Sequence, residues 1–183
     1  MNADDAHTES RAAIRALIST WQGIPAVLCD RHFTVVGAND AARALSPAFT
    51  EGVNLARFTF VDADIDRDDA MYDTAANQVA AMLRESLDQH HGDAQFRGIV
   101  GDLSVMSSDF AVAWADDSLS AKAAGVIDFT ATPVGLIRLG YQVLRVAGTE
   151  DDSLLVWGAA DQASSDSLSR LLGGAETARG ERL

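Results

Sequence analysis

Cysteine is almost absent from this sequence of 183 residues, which contains Cys29 alone. A single cysteine excludes an intramolecular disulfide and fits a reducing compartment. Long apolar runs are also absent, since none approaches the roughly 20 residues that a membrane-spanning helix needs. Residues 1–9 lack the basic and apolar regions of a signal peptide. We therefore expect a cytoplasmic protein that has no membrane partner.

Basic residues are scarce. The chain has 14 of them against 27 acidic residues, so its net charge is −13. An acidic surface repels phosphate backbones, and we expect no direct binding of nucleic acid by this chain. Hydrophobic residues make up 48% of the sequence, which argues against disorder. The length and composition predict one domain with a real core.

Motifs of common catalytic sites are missing: there is no G-x-S-x-G, S-x-x-K or H-E-x-x-H. Cys29 lies in an apolar run, where a buried thiol behaves as a small hydrophobic group. Isolated glycines such as Gly135 do not form a phosphate-binding loop. We therefore predict that the chain is not an enzyme, and we expect no catalytic residues.

Two segments have acidic or histidine side chains at spacings found in metal sites. A D-x-D-x-D pattern spans 62–66, but a calcium loop also needs a glycine and a glutamate where this chain has Arg67 and Asp73. The histidine pair at 90–91 stands near Asp93, yet adjacent histidines on a helix point about 100° apart and chelate poorly. A solvated acidic loop and a solvated helix end are the favoured interpretations, and we predict no metal site.

The N-terminal third predicts a helix followed by a hairpin. Ile14, Leu17, Ile18 and Trp21 are spaced for one face of an amphipathic helix over 9–21. This face either packs across a two-fold axis in a homodimer or folds back on the chain's own sheet. Short apolar runs then predict strands, and capping residues predict short helices. The strands are at 25–30 and 33–38, and the helices at 41–45 and after Asn54.

The rest of the chain predicts helices first and strands last. Helical patterns occupy 74–89, 94–104 and 108–115; strand patterns occupy 125–130, 134–146 and 154–157; a closing helix spans 165–172. The simplest assembly is α+β: a PAS-like five-stranded antiparallel sheet with helices packed mainly on one face, plus an N-terminal flanking helix. We assign 1–22 to a tail and flanking helix, 23–174 to the domain and 175–183 to a C-terminal tail.

A series of short segments follows an order that is typical of one protein family. They are the run 11–45, NLARFTFVD at 54–62, GDLS at 101–104, SSDF at 107–110, PVGL at 133–136 and LLVW at 154–157. Taken together over 11–173, these segments resemble the ligand-binding domain of MmyB-like transcription regulators. The resemblance implies a PAS-like fold, a small-molecule sensing role and fatty-acid-like ligands. The family normally carries an N-terminal helix-turn-helix, for which we see no room here.

A PAS-like domain often keeps a gap between its sheet and its helices, and apolar gaps with a few polar anchors bind small molecules. Arg57 and Tyr72 are our candidate anchors, although Arg57 could instead pair with Asp62 or another nearby acid. Leu136, Leu139 and Tyr141 are expected to share one strand face. The apolar candidates, each of which could instead be ordinary core, are Phe58, Phe60, Met82, Val100, Leu103, Phe110, Trp114, Leu136 and Leu139.

Two functions remain open at this point. The first is a homodimeric regulatory domain that senses a lipophilic small molecule such as a fatty acid. It would have no DNA-binding domain of its own and no cofactor besides this ligand. The alternative is a ligand-free, PAS-like interaction or dimerisation module whose core is filled by its own side chains. An apolar cavity between helices and sheet would favour the first.

Overall fold

The computed structural model describes residues 3–62, 67, 72–149 and 151–180, which form one antiparallel sheet and the helices around it. The strands are β1 (Ala26–Cys29), β2 (Val35–Ala38), β3 (Ala124–Phe129), β4 (Ile137–Arg145) and β5 (Ser153–Ala159). Their order in the sheet is β2-β1-β5-β4-β3. The predicted α+β fold with a five-stranded PAS-like sheet is confirmed.

The helices and strands follow the predicted order, with one helix first, two strands, a series of helices, three strands and a closing helix. They are α1 (Ala3–Ser19), α2 (Asp40–Leu45), α3 (Leu55–Val61), α4 (Tyr72–Gln89), α5 (Ala94–Met106), α6 (Ser108–Ala115) and α7 (Gln162–Gly180), with a short 3-10 helix at Pro47–Phe49. Asparagine side chains accept backbone N–H groups at the starts of α2 and α3, as their capping positions predict. Within the described residues, no helix combines the length and apolar character needed to cross a membrane.

Several predicted boundaries differ from the structure, and three of the differences follow from identifiable residues. Helix α1 begins at Ala3, earlier than predicted. The negative charge of Asp5 near its start interacts favourably with the positive end of the helix dipole. Strand β4 begins at Ile137 because Gly135, with φ of +87°, turns the chain just before it. Helix α7 continues past Gly173 and Gly174, which do not adopt the left-handed conformation that ends many helices.

The two faces of the sheet are covered by different helices. Successive side chains on a strand point to opposite faces, and on β5 Leu155 joins the main core under α2–α7 while Leu154 joins a smaller cluster. That second cluster contains Ile18 of α1, with Ile14 and Trp21 packed at its edge. The apolar stripe of α1 therefore folds back on the chain's own sheet.

Asn39 connects four segments at one edge of the fold and is only 1% exposed. Its Oδ1 accepts the backbone N–H of Ala26 at 3.1 Å and of Ala42 at 3.0 Å. Its Nδ2 donates to the carbonyl oxygens of Ile24 at 2.7 Å and of Ile18 at 3.3 Å. The side chain thus joins the end of α1 and the following linker to the starts of β1 and α2.

Candidate functional site

An apolar cavity of about 190 Å³ lies between α4 and the main-core face of the sheet. Aromatic rings form much of its wall: Phe49 packs on Trp157 with ring centroids 4.9 Å apart and on Phe129 at 6.1 Å. Burial raises the pKa of the Tyr141 hydroxyl, which also belongs to the wall. The remaining lining residues are Phe33, Ala48, Leu55, Phe58, Thr59, Thr74, Ala75, Gln78, Val79, Met82, Val126, Ile127, Val143 and Leu155.

A second cavity, of about 200 Å³, adjoins the first and is polar. Three side chains, Phe33, Met82 and Val143, line both cavities and so form the partition between them. The other lining residues are Asp30, Arg31, Glu85, Ser86, Gln89, Ala121, Lys122, Ala123, Arg145, Asp151 and Ser153. The two spaces therefore lie next to each other and are separated by these three side chains; together we call them the trough, with an apolar and a polar part.

The direction of this trough follows from the periodicities of α4 and β4. Along α4, Ala75, Gln78 and Met82 face the apolar part, and Ser86 and Gln89 face the polar part. These positions are three or four residues apart, so they share one helix face. Along β4, residues 141, 143 and 145 alternate with outward-facing ones and follow the same sequence from apolar to polar.

A strap at 121–123 crosses the trough and is attached to both of its walls. The Gln78 side chain forms two hydrogen bonds with the backbone of Lys122: its Nε2 donates to the carbonyl oxygen at 2.8 Å, and its Oε1 accepts the N–H at 3.1 Å. On the other side, the N–H of Val143 donates to the carbonyl oxygen of Ala123 at 2.7 Å. The backbone position of Lys122 at the rim is therefore well defined.

The segment before the strap is held by a single guanidinium. Arg84 of α4 donates to the carbonyl oxygens of Asp116 at 3.0 Å and Ala113 at 3.2 Å, and also to that of Trp114. Its Cζ lies 5.3 Å from the centroid of the Trp114 ring, within the range of cation–π contacts. Helix α4 thus supports both the floor side of the trough and the strap over it.

The acidic side chains of the polar cavity are engaged in local contacts. Asp30 Oδ1 accepts the backbone N–H groups of His32 and Thr34, both at 2.9 Å, in the β1–β2 turn. Asp151 Oδ2 lies 2.8 Å from His90 Nε2. Glu85 Oε1 lies 3.4 Å from Arg145 Nη2. Asp30 and Asp151 are thus held by short contacts, whereas the contact of Glu85 with Arg145 is longer.

Beside the polar cavity, Asp93 joins the β1–β2 turn to the start of α5. Its Oδ2 lies 2.8 Å from His32 Nε2 and 3.1 Å from Arg31 Nη2, and its Oδ1 accepts the N–H of Gln95 and of Phe96. Desolvation opposes ionisation, but the hydrogen bonds from His32 and Phe96 outweigh it and hold the pKa of Asp93 below its usual value. Asp93 is thus stabilised as a carboxylate.

The structure brings only part of the predicted site together. Phe58 and Met82 line the apolar cavity. The others lie in the main core or at its edge, where Phe60 packs edge-on against Phe110 at 5.0 Å. The buried members are Phe60, Leu103, Phe110 and Leu139, and the partly buried members are Val100 and Trp114. Ligand contact by these residues stays a prediction.

The two predicted anchors lie outside both cavities. Arg57 Nη1 is 3.3 Å from Asp102 Oδ2, so it pairs with an acid, though with Asp102 instead of Asp62. The Tyr72 hydroxyl is 3.2 Å from Asp109 Oδ2, and burial, with the nearby Asp109 charge, raises its pKa. The expectation that Leu136 shares a face with Leu139 and Tyr141 is wrong, because Leu136 precedes β4 and is 55% exposed.

The candidate metal segments carry no assembled site in the part of the chain that the structure describes. No group of three or more possible ligands occurs there, and the calcium-like pattern at 62–66 falls largely outside it. His90 contacts the Ser86 carbonyl oxygen at 2.7 Å through Nδ1 and Asp151 through Nε2. Cys29 is fully buried, and desolvation, with Asp30 and Asp152 nearby, raises the pKa of its thiol, so the thiol stays protonated.

Sequence reasoning missed the polar rim, namely Gln78, Lys122 and Arg145. Two signals were present: Lys122 is the only lysine in the sequence, and Arg145 follows Tyr141 and Val143 at strand spacing. What the sequence did not show is that the segment before β3 crosses back over α4. Contacts between segments so distant in the chain leave no local pattern.

Comparison with known proteins agrees with this architecture. The family model described as the MmyB-like transcription regulator ligand binding domain matches residues 10–172. The matched range contains every strand and all the residues that line the two cavities. No curated protein matches the chain. The resemblance noted in the sequence is confirmed, and the chain belongs to the family of MmyB-like transcription regulator ligand-binding domains.

Proposed function

We propose that this domain senses a lipophilic small molecule that binds in the apolar cavity between α4 and the sheet, and that the ligand contains an acyl chain. The observation that carries the proposal is the cavity itself, whose walls are almost entirely aliphatic and aromatic. Ligand sites are mostly apolar with a few polar groups that orient the ligand. A filled core, as the interaction-module alternative requires, would leave no such space.

The size of the cavity limits the ligand. An engineered apolar cavity of about 150 Å³ holds benzene, so a cavity of about 190 Å³ holds a short acyl chain or a single ring. A longer chain has to continue along the trough. The face of α4 from Thr74 to Gln89 is about 22 Å long at 1.5 Å per residue, which suits a long chain that extends into the polar part.

The sheet offers a route by which occupancy could be sensed elsewhere. Leu155 lines the cavity, and its neighbour Leu154 packs beneath Ile18 of α1 on the opposite face. A ligand that repacks Leu155 acts on the strand that also supports α1. We therefore propose that α1 receives the signal.

The test uses delipidated protein and a neutral fluorescent apolar probe, N-phenyl-1-naphthylamine, displaced by decanol. Met82→Trp places a large ring in the partition between the two cavities, and Met106→Trp makes the same change at an exposed position on α5. We expect the wild type and Met106→Trp to bind the probe and decanol, and Met82→Trp to lose both. If Met82→Trp does not fold, Val79→Phe fills the same cavity from the next turn of α4.

The outcomes separate the two functions. A wild type that binds neither probe nor decanol contradicts the sensor and favours the interaction module. Binding that is equal in all variants places the ligand elsewhere.

A homodimer through α1 remains a proposal, but the apolar stripe of α1 needs no second copy for its burial, and Leu17 alone of that stripe stays largely exposed.

The cellular setting follows from composition. A net charge of −13 disfavours contact with phosphate backbones, so we propose that this domain affects transcription without binding DNA itself. The single cysteine is consistent with action in the cytoplasm.

A further inference from the structure

The strongest unexplained feature outside the apolar cavity is the cation at the rim of the polar cavity. Lys122 lines this cavity and its side chain is exposed. Among the described residues, no carboxylate forms an ion pair with its ammonium group. The Gln78 contacts fix its backbone, so the side chain leaves from a defined point.

Arg145 supplies a second cation whose contacts are loose. Its guanidinium lies 3.1 Å from Gln89 Oε1, 3.4 Å from Glu85 Oε1 and 3.8 Å from Asp151 Oδ1. Charge-assisted bonds between arginine and a carboxylate are typically shorter, about 2.7–2.9 Å, and often bidentate. Arg145 can therefore turn toward a better acceptor at small cost.

The charges in this cavity favour an anion. Asp30 accepts two backbone N–H groups and Asp151 lies against His90, so these two acids have partners of their own. Glu85, the third acid of the cavity, lies 3.4 Å from Arg145. The cations are less well matched, since Lys122 has no acidic partner within the described chain and Arg145 shares weak ones. A carboxylate placed here would be attracted by both Lys122 and Arg145. An ammonium group would instead have to draw the acidic side chains away from their existing contacts.

We infer that the polar cavity receives an anionic head group, such as a carboxylate, of the same ligand whose apolar chain occupies the neighbouring cavity, and that Lys122 and Arg145 bind it. This inference rests on the proposed function and assigns the orientation of the ligand: chain toward Trp157, head toward Lys122. The shared partition of Phe33, Met82 and Val143 is the point where the chain passes from one part to the other.

The experiment compares three probes with the same chain, namely decanoate, decanol and decylamine, in the displacement assay at low salt. We expect decanoate to bind best and to weaken as salt is added. Lys122→Met should lower decanoate affinity about fivefold, as for an exposed ion pair, and leave decanol affinity unchanged. Lys122→Arg should keep decanoate binding. The charge-matched control is Arg97→Met, on the exposed surface of α5, which should also leave it intact.

A second measurement uses the fact that the chain has one lysine. Limited acetylation followed by peptide mass spectrometry reports the accessibility of Lys122 directly. Saturating decanoate should slow acetylation of Lys122, and saturating decanol should not. An unchanged rate with bound decanoate overturns the contact.

The results distinguish the inference from the function on which it rests. If decanoate and decanol bind equally well and Lys122→Met changes neither, the cavity function stands and the head-group assignment is wrong. Tighter binding of decylamine shows that the acids dominate and also overturns it. If none of the three probes binds, the proposed function fails first.

Discussion

Ala75 and Ala76 are neighbours on α4 that face different surroundings, and they allow a direct test of the apolar cavity. Ala75 lines the cavity, whereas Ala76 is buried in the main core. Replacing either with leucine adds the same three carbon atoms at nearly the same helix propensity. The difference between the two variants therefore reports whether open space exists beside Ala75.

The expected changes have opposite signs. Each buried methylene contributes about 0.8 kcal/mol, so three set a ceiling of about 2.4 kcal/mol for Ala75→Leu. Ala75 is half-buried, and ordering a leucine side chain costs about 0.5–1 kcal/mol. We expect the free energy of unfolding to rise by about 1 kcal/mol. Ala76→Leu overpacks the core and should lower it by about 1–3 kcal/mol.

The assay is urea unfolding of ligand-free protein, followed by far-ultraviolet circular dichroism, with decanol affinity measured in parallel. Ala75→Leu should be more stable than the wild type and bind decanol at least tenfold more weakly. If Ala75→Leu is instead destabilised as much as Ala76→Leu, the space beside α4 is absent in solution and the reasoning is refuted. Unchanged decanol affinity in a stabilised Ala75→Leu places the ligand outside this cavity.

Three further predictions concern the contacts that hold the trough's supports. Asn39→Ala removes the buried side chain that joins α1, β1 and α2. It should lower the free energy of unfolding in urea by about 3 kcal/mol, whereas the control Asn54→Ala should lower it by about 1 kcal/mol. Equal losses would contradict the connecting role of Asn39. The pKa of Asp93 is lowered in the folded protein, so its contribution to stability is fully present above the unfolded value of about 3.9 and is lost as pH falls through the folded pKa. The wild type and Asp93→Asn should therefore differ in stability at pH 6 and converge as the pH falls below about 4. A constant difference would show that ionisation of Asp93 is irrelevant. Arg11→Met leaves the buried carboxylate of Asp152 without its bidentate partner at 2.8 and 2.9 Å. It should lower the free energy of unfolding, measured by heat or urea, by about 2 kcal/mol, and adding Asp152→Asn should recover most of this loss. No recovery would point to lost packing by the arginine stem.

The fold was largely predictable because its elements carry local signals. Helix α4 repeats alanine, valine and leucine at helical spacing, and the β1–β2 hairpin has apolar runs around a polar turn. The predictions failed where the deciding feature was not local. Leu136 continues an apolar run, yet the left-handed Gly135 before it delays β4 until Ile137, and Gly173 stays helical although glycine often ends helices.

The site was less predictable than the fold because a cavity is a property of several segments at once. Periodicity identified Met82 as apolar and facing inward, but the same pattern describes Leu83, which is fully buried. Which of the two borders open space depends on β4 and on the strap at 121–123, and neither is near α4 in sequence. Polar anchors are harder still, since arginine suits a ligand carboxylate and a surface acid equally well. Arg57 and Arg145 show this: one lies beside Asp102 on the surface and the other borders the polar cavity. Only the course of β4 beneath α4 accounts for the difference in their positions.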